Sequence, residues 1–383
     1  MELNSYFTDF LREIRPTDNQ KKDYQSGHKT LRKRLKSYDP LKDIIVSTFI
    51  QGSYRRATAV RPKGDKRPDV DVVVVTRLSR EEYPEPKKAM DLFIPFLDEY
   101  YKDKCTPNAR SFRIELSYVD LDLVITSAPS ESQIGILESE AVTSDLTPED
   151  PTELIPAKLS LFEAKSLDRT AHFWEAAAAE PGWKTEPLYI PDREVKIWER
   201  THPLAQIEWT WGKNKDTNDH YVNVVKALKW WRRIMHPDTK YPKGYPLEHM
   251  IGTCCPNNIQ SVAEGVTQAL ETIAARYWYE GENGCTPWLP DHGVLEHNVF
   301  ARVSGKDFAV FYSQVKDAAV IAHRAFDLKD VDESAAEWQK LFGEKFPGPT
   351  NFNGESSKSS NGAVIGGYSE RKEKTEIQGG RFA

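Results

Sequence analysis

Cysteine is scarce in this chain: Cys105, Cys254, Cys255 and Cys285 are the four among 383 residues. They are too few and too scattered for a disulfide framework. No apolar run approaches the roughly 20 residues that a membrane helix needs, and no N-terminal segment resembles a signal peptide; a cytoplasmic protein is expected. Positive charge is not in excess either. Lys and Arg total 52 against 58 Asp and Glu, a net charge of −6, which argues against a nucleic-acid backbone as the main partner. Lys29, Arg32, Lys33, Arg34 and Lys36 form a local basic run on an N-terminal helical segment, read as a solvated face. There is no internal repeat. What is present is ample core material: 39% hydrophobic and 11% aromatic residues, enough for two lobes.

The most informative stretch is Gln51-Gly52-Ser53-Tyr54-Arg55-Arg56-Ala57-Thr58, followed by Pro68-Asp69-Val70-Asp71 and the run Val72 to Val75. In a strand, Asp69 and Asp71 lie two residues apart and share a face. Two neighbouring carboxylates are costly unless a positive charge neutralises them, and a hard divalent cation with oxygen ligands does so best. Magnesium carrying a nucleoside triphosphate fits. Val72 to Val75 is apolar on both faces, so the strand is expected to be covered on both sides. Gly52 and Ser53 follow a β-rich run, Asp43 to Ile50, and sit where a strand ends. Glycine lets the backbone approach a phosphate, while free amides and the Ser53 hydroxyl can donate to it. An isolated Gly-Ser is usually an ordinary turn; the acids give this one its meaning.

Phe112 to Ile125 reads as one long strand carrying Asp120 and Asp122 at period two. Either could supply the third carboxylate that two-metal phosphoryl transfer needs near the attacking hydroxyl. Asp122 is preferred because the apolar stretch to Pro129 follows it, with Asp120 as the alternative. Further on, His220 to Arg233 reads as an amphipathic helix with Val224, Ala227, Leu228 and Trp231 on one face. Lys226 and Lys229 stand one turn apart and can reach one anion.

Gly52-Ser53, Asp69-Val70-Asp71 and Asp122 resemble the DNA polymerase β-type nucleotidyltransferases, and Gln51-Gly52-Ser53-Tyr54 with Thr58 resembles the bacterial CD-NTases, relatives of cyclic GMP-AMP synthase. The resemblance implies an α+β fold, with a mixed-sheet nucleotidyltransferase core and a helical C-terminal lobe forming a two-lobed cleft. It implies a Mg2+-dependent synthase that joins ATP, with GTP, into a cyclic di- or trinucleotide messenger for anti-phage signalling and releases pyrophosphate. Asp69, Asp71 and Asp122 would hold two ions; Gln51, Gly52, Ser53, Lys226 and Lys229 would hold the triphosphate. Tyr245 would stack on the nucleobase, with Gly244 standing where the family has a serine. The spacing from Ser53 to Asp69 exceeds the family norm by a basic turn, Arg61 to Arg67.

The expected division is 1–190 for the N-terminal helix and core, 191–345 for the helical lobe, and 346–383 for a flexible tail. Pro, acidic and small residues break the chain at Pro148 to Pro156 and Glu180 to Pro191. Trp198, Trp209 and Trp211 are expected as core or lobe-interface anchors. His249 with Cys254-Cys255 suggests zinc ligands, but no fourth ligand is evident and buried core cysteines are the simpler reading. The tail ends Gln378-Gly379-Gly380-Arg381-Phe382-Ala383, and the resemblance offers it as a handle for an E1/E2-like partner. A monomer is expected. Two other functions keep the same acids: a nucleotidyltransferase acting on RNA ends or a small acceptor, and a non-catalytic nucleotide-binding scaffold.

Overall fold

The structure is a computed structural model that describes residues 1–64, 66–128 and 186–349, within one compact unit, Met1–Pro349. The break at 148–156, the first part of the break at 180–191, Asp65 of the basic turn and the Gly379-Gly380 element lie outside the described residues.

The N-terminal helical stretch is two helices, α1 (Asn4–Ile14) and α2 (Asp18–Ser37). Pro16 cannot continue the first, and Thr17 starts the second with a capping box: Gln20 N donates to Thr17 Oγ1 at 3.2 Å while Thr17 N donates to Gln20 Oε1 at 2.9 Å. The helices separate in space. Phe7, Phe10, Leu11 and Ile14 of α1 join the core of the helical region, where Phe7 meets Trp338 edge-on at 5.0 Å. Tyr24, Leu31 and Leu35 of α2 pack on the sheet. Of the basic run, Lys29, Lys33 and Lys36 are exposed. Arg32 donates to the Thr48 side chain and carbonyl at 3.0 Å each, and Arg34 lies over the rings of Tyr100 and Tyr101.

The described residues form a mixed seven-stranded sheet of β1 (Ile45–Gln51), β2 (Asp69–Thr76), β3 (Cys105–Pro107), β4 (Phe112–Glu115), β5 (Asp120–Ser127), β6 (Leu188–Asp192) and β7 (Ile197–Thr201), in the order β1-β2-β5-β4-β3 with β6 on β5 and β7 on β6. β2 and β5 are parallel and the other pairs antiparallel. The single long strand expected over 112–125 is therefore a hairpin. Leu116 N donates to the Val119 carbonyl at 3.0 Å and turns the chain, so Phe112 pairs with Leu123 and Glu115 with Asp120. Alternation along β2 covers both faces, as its valines imply. Val70, Val72 and Val74 pack with α2 and with Phe93, Phe96 and Leu97 around α4 (Pro86–Asp91) and α5 (Ile94–Tyr101); Val73 and Val75 pack with Val124 and Leu188.

The β6–β7 hairpin carries the sheet past residue 190, after which the described chain is mainly helical. It runs through α6 (Pro203–Asp216), α7 (Tyr221–Met235), α8 (Tyr245–Cys254), α9 (Val262–Arg276), α10 (Trp278–Asn283), α11 (Gly305–Asp327) and α12 (Val331–Phe342). Val224, Ala227, Leu228 and Trp231 are buried, but so are Val222, Val225, Lys226 and Trp230, so α7 is enclosed on more sides than its pattern implies. Trp198 is half-buried and donates to the Tyr83 carbonyl at 2.9 Å; Trp209 stacks on His292 at 3.7 Å; Trp211 is half-buried. No helix among the described residues is long and apolar enough to cross a membrane.

Candidate active site

Strand register assembles the acids. Antiparallel β1 sets Gln51 beside Asp71, and parallel β5 sets Asp122 beside Asp71 and Asp120 beside Asp69. All four acids share a face with Val73, Val75 and Val124, at the end where β2 and β5 begin. Immediately after β1 the chain bends into α3 (Gly52–Arg55). Gly52 has φ +76°, and a Cβ there would stand 1.8 Å from Asp71 Oδ2. No other residue allows the turn to lie this close to the carboxylate. The Ser53 carbonyl accepts from Thr58 N at 2.9 Å and closes the turn.

This crowding shows in the electrostatics. Burial, then the neighbouring Asp69 and Asp122, pushes the Asp71 carboxyl up to about 7, with Arg56 opposing. Burial also raises Asp122, against Arg113 and the Ser111 hydroxyl, which donates to it at 3.4 Å. Asp120 stands differently. It is buried and receives Arg67 Nε at 2.6 Å and Arg113 Nη2 at 2.5 Å, so its charge is already matched. The donor set offered by these acids is oxygen-only, which suits a hard divalent cation. Among the described residues no group of three His, Cys, Asp or Glu side chains is placed so that it could hold a metal ion, the acids of β2 and β5 included. Magnesium does not need such a group, because it takes one or two carboxylates and completes its shell with substrate phosphates and water.

The helical region brings further groups to the same turn. Lys229 Nζ donates to the Thr58 carbonyl and to Glu248 Oε1, each at 2.9 Å. Lys226, one turn earlier, is fully enclosed. Tyr245 opens α8 and is half-buried; the Arg56 guanidinium lies 5.1 Å from its ring centre, and its hydroxyl is 3.2 Å from His249 Nδ1. Gly244 is the N-cap, with φ +61° and ψ −135°, a conformation that serine adopts only under strain. The backbone thus explains why glycine stands there, and Pro246 falls in the first turn, where proline is tolerated. His249 stacks on His292 at 3.8 Å. Cys254 and Cys255 are buried, and burial pushes their thiols up to about 12 and about 11, away from the thiolate a metal needs.

Two residues escaped the sequence reading. Arg56 and Glu248 are both buried and meet at 3.1 Å. Nothing local marks them, since Arg56 sits among other arginines and Glu248 reads as an acid in a helix first turn, where acids are common. Only the fold closes their sequence separation of 192.

A carboxylate pair beside a glycine turn on a mixed sheet, faced by a lysine-bearing helix, defines a nucleotidyltransferase. Residues 1–130 match the model of the Second Messenger Oligonucleotide or Dinucleotide Synthetase domain. The chain is 48% identical to a probable cyclic AMP-AMP-GMP nucleotide synthase of Salmonella paratyphi B over 396 residues, all of both chains. It is also 48% identical to a cyclic AMP-AMP-GMP synthase of Enterobacter hormaechei over 392 residues, again all of both. Its fold is that of Vibrio cholerae DncV cyclic AMP-GMP synthase, solved with a linear intermediate: TM-score 0.61 at 12% identity, covering 90% of this chain and 96% of that one. The chain belongs to the bacterial CD-NTases, the family of cyclic-oligonucleotide synthases that use nucleoside triphosphates.

Proposed function

We propose that Asp69, Asp71 and Asp122 form the metal-binding and catalytic centre, and that the product is a cyclic trinucleotide of two adenylates and one guanylate built from ATP and GTP. The product assignment is supported by full-length identity to relatives bearing that name. The centre is supported above all by the register that sets Asp71 beside Asp122 under a glycine turn too close for any Cβ. Bound magnesium, two ions in this reading, would neutralise the acids and stabilise charge on the transferring phosphate.

The chain's own residues do the rest. The Gly52 backbone and the Ser53 hydroxyl donate to the donor triphosphate, with Gln51 at the strand end beside them. Lys229 adds a charge-assisted contact worth about 1.5 to 3 kcal/mol. Lys226 is fully buried, so of the two lysines read as reaching one anion it is Lys229 that is given the triphosphate. Tyr245 presents its ring to a base. Asp122, whose carboxyl is raised by burial, takes the proton of the acceptor hydroxyl as its oxygen bonds to the donor α-phosphorus. The bond from that phosphorus to the pyrophosphate oxygen breaks in line. Repetition and a final intramolecular attack close the ring.

The sheet side, which runs on through β7 to Thr201 rather than ending at 190, and the helical side, which α1 joins, are read as the two sides of the site, in a cytoplasmic monomer. The C-terminal tail as a handle for an E1/E2-like partner is a separable part of this reading: deleting Gly380 to Ala383 should abolish adducts and leave synthesis intact. Incubation with ATP and GTP and no added acceptor tests the main reaction. Phosphatase-resistant cyclic product that requires magnesium and disappears with Asp69→Asn plus Asp71→Asn is expected; product unchanged in that double variant would reject the centre.

A further inference from the structure

Glu248 is the charged group on which the sheet side and the helical side of the site meet. Its side chain is 3% exposed. Oε2 accepts from Arg56 Nε at 3.1 Å and from Thr58 Oγ1 at 2.8 Å, and Oε1 accepts from Lys229 Nζ at 2.9 Å. Its own carbonyl accepts from the Tyr221 hydroxyl at 3.0 Å, which fixes α8 against α7. Arg56 and Thr58 are bonded back onto the glycine turn, through Arg56 N to the Gly52 carbonyl at 3.1 Å and Thr58 N to the Ser53 carbonyl at 2.9 Å. Between them Ala57 is buried at φ +57°, a left-handed conformation that a non-glycine residue holds only when its surroundings enforce it.

We infer that Glu248 is a positioning residue for the donor triphosphate: it holds the Gly52–Ser53 turn and Lys229 at one fixed separation so that both can engage the same phosphates. Two cations meet one carboxylate, so the node carries a net positive charge beside the metal-binding acids, favourable to a polyanion. Without the carboxylate, Arg56 and Lys229 would repel one another and the strained turn would lose its outer support. Arg56 also covers the Tyr245 ring, so the same node fixes the base-stacking face one turn before Glu248. This inference rests on the proposed roles of Ser53 and Lys229.

The test compares Glu248→Gln, Glu248→Asp, Thr58→Val and Lys229→Met in the full chain. KM for ATP, kcat, affinity for a non-hydrolysable ATP analogue and thermal midpoint would be measured for each. Glu248→Gln should raise KM and weaken analogue binding at least about tenfold, the scale of one charge-assisted contact, with a smaller change in kcat. Glu248→Asp should recover part of the affinity, and Thr58→Val, which removes one contact and no charge, should show the same KM effect in smaller measure. A lowered thermal midpoint in Glu248→Gln with KM and analogue affinity unchanged would overturn the inference. If Glu248→Gln does not fold, unchanged affinity in Thr58→Val overturns it instead. Lys229→Met separates the two levels. An unchanged KM there removes the lysine from the triphosphate, so its proposed role and that of Glu248 both fall while the acids are untouched, whereas a raised KM in Lys229→Met alone leaves the lysine's role standing and rejects that of Glu248.

Discussion

Gly52 is the residue at which conformation and chemistry cannot be separated. Its positive φ and the 1.8 Å approach of Asp71 Oδ2 to a notional Cβ mean that Gly52→Ala must either displace the carboxylate or unbend the turn. A loss of about 1 to 3 kcal/mol in folding stability and of most synthesis is expected, measured by denaturant melts and product yield. The two acids of β5 make a second pair of predictions. Asp120 is bonded to Arg67 and Arg113, so Asp120→Asn should cost stability through the loss of a buried charge matched by two cations. Asp122→Asn should instead leave the thermal midpoint near that of the parent, because its charge is poorly compensated, and lower the turnover rate by about a hundredfold or more. Thermal melts beside initial rates distinguish the two. The sequence left this choice open. Period two puts both acids on one face, and only the register and the two arginines tell them apart.

At the scale of elements, the sheet was legible where side-chain pattern decides it and illegible where a turn does. The valines of β2 announced a strand covered on both faces, and the spacing of Asp69 and Asp71 put both at its edge. The β4–β5 hairpin was hidden because Leu116 to Val119 contains neither glycine nor proline, and the turn is held by one backbone bond. β6 was hidden because its partner β5 lies far away in the sequence, and β7 joins the sheet only through β6. Helix α7 was read correctly as a helix but as only half-buried, since Lys226 and Lys229 look alike until packing encloses one and leaves the other on Thr58 and Glu248. Glu248 itself is the clearest case of what sequence cannot show. Its partners come from β1's trailing turn and from α7, and removing the carboxylate leaves the buried Arg56 without its counter-charge. Glu248→Ala should therefore destabilise the fold by about 3 to 5 kcal/mol, read as a shift of the urea midpoint.

For the whole molecule, the buried titratable groups set a pH dependence. Burial, then Arg32 and Lys29, pushes His28 down to about 3; burial and then His292 pushes His249 down to about 3; burial alone pushes His292 down to about 4. The unfolded chain takes up these protons from about pH 6.5 downward, while the folded chain does not, so stability falls as pH drops below about 6.5. Glu248 adds to the loss at lower pH. Burial would raise its carboxyl, but Arg56 and Lys229 hold it down to about 2, so its contribution is present above the unfolded value near 4.5 and disappears as pH falls toward about 2. Thermal midpoints should hold level from pH 8 to about 6.5 and decline from there to pH 4, with Asp71, whose carboxyl burial pushes up to about 7, offsetting part of the loss, and His28→Gln should flatten the slope between pH 6.5 and 4. The scaffold and RNA-end readings shared the acids with the synthase reading; full-length identity to cyclic-oligonucleotide synthases decides among them.

In the proposed function, the acids joined by the β1–β2–β5 register build a cyclic AMP-AMP-GMP product from free nucleotides. Mass spectrometry of the phosphatase-resistant product formed from ATP, GTP, CTP and UTP together, for the parent chain and for Asp69→Asn with Asp71→Asn, tests it most directly. The parent should give one cyclic trinucleotide with the mass of two adenylates and one guanylate, and the double variant none. A product of other mass from the parent would contradict the substrate assignment, and equal product from both chains would contradict the site.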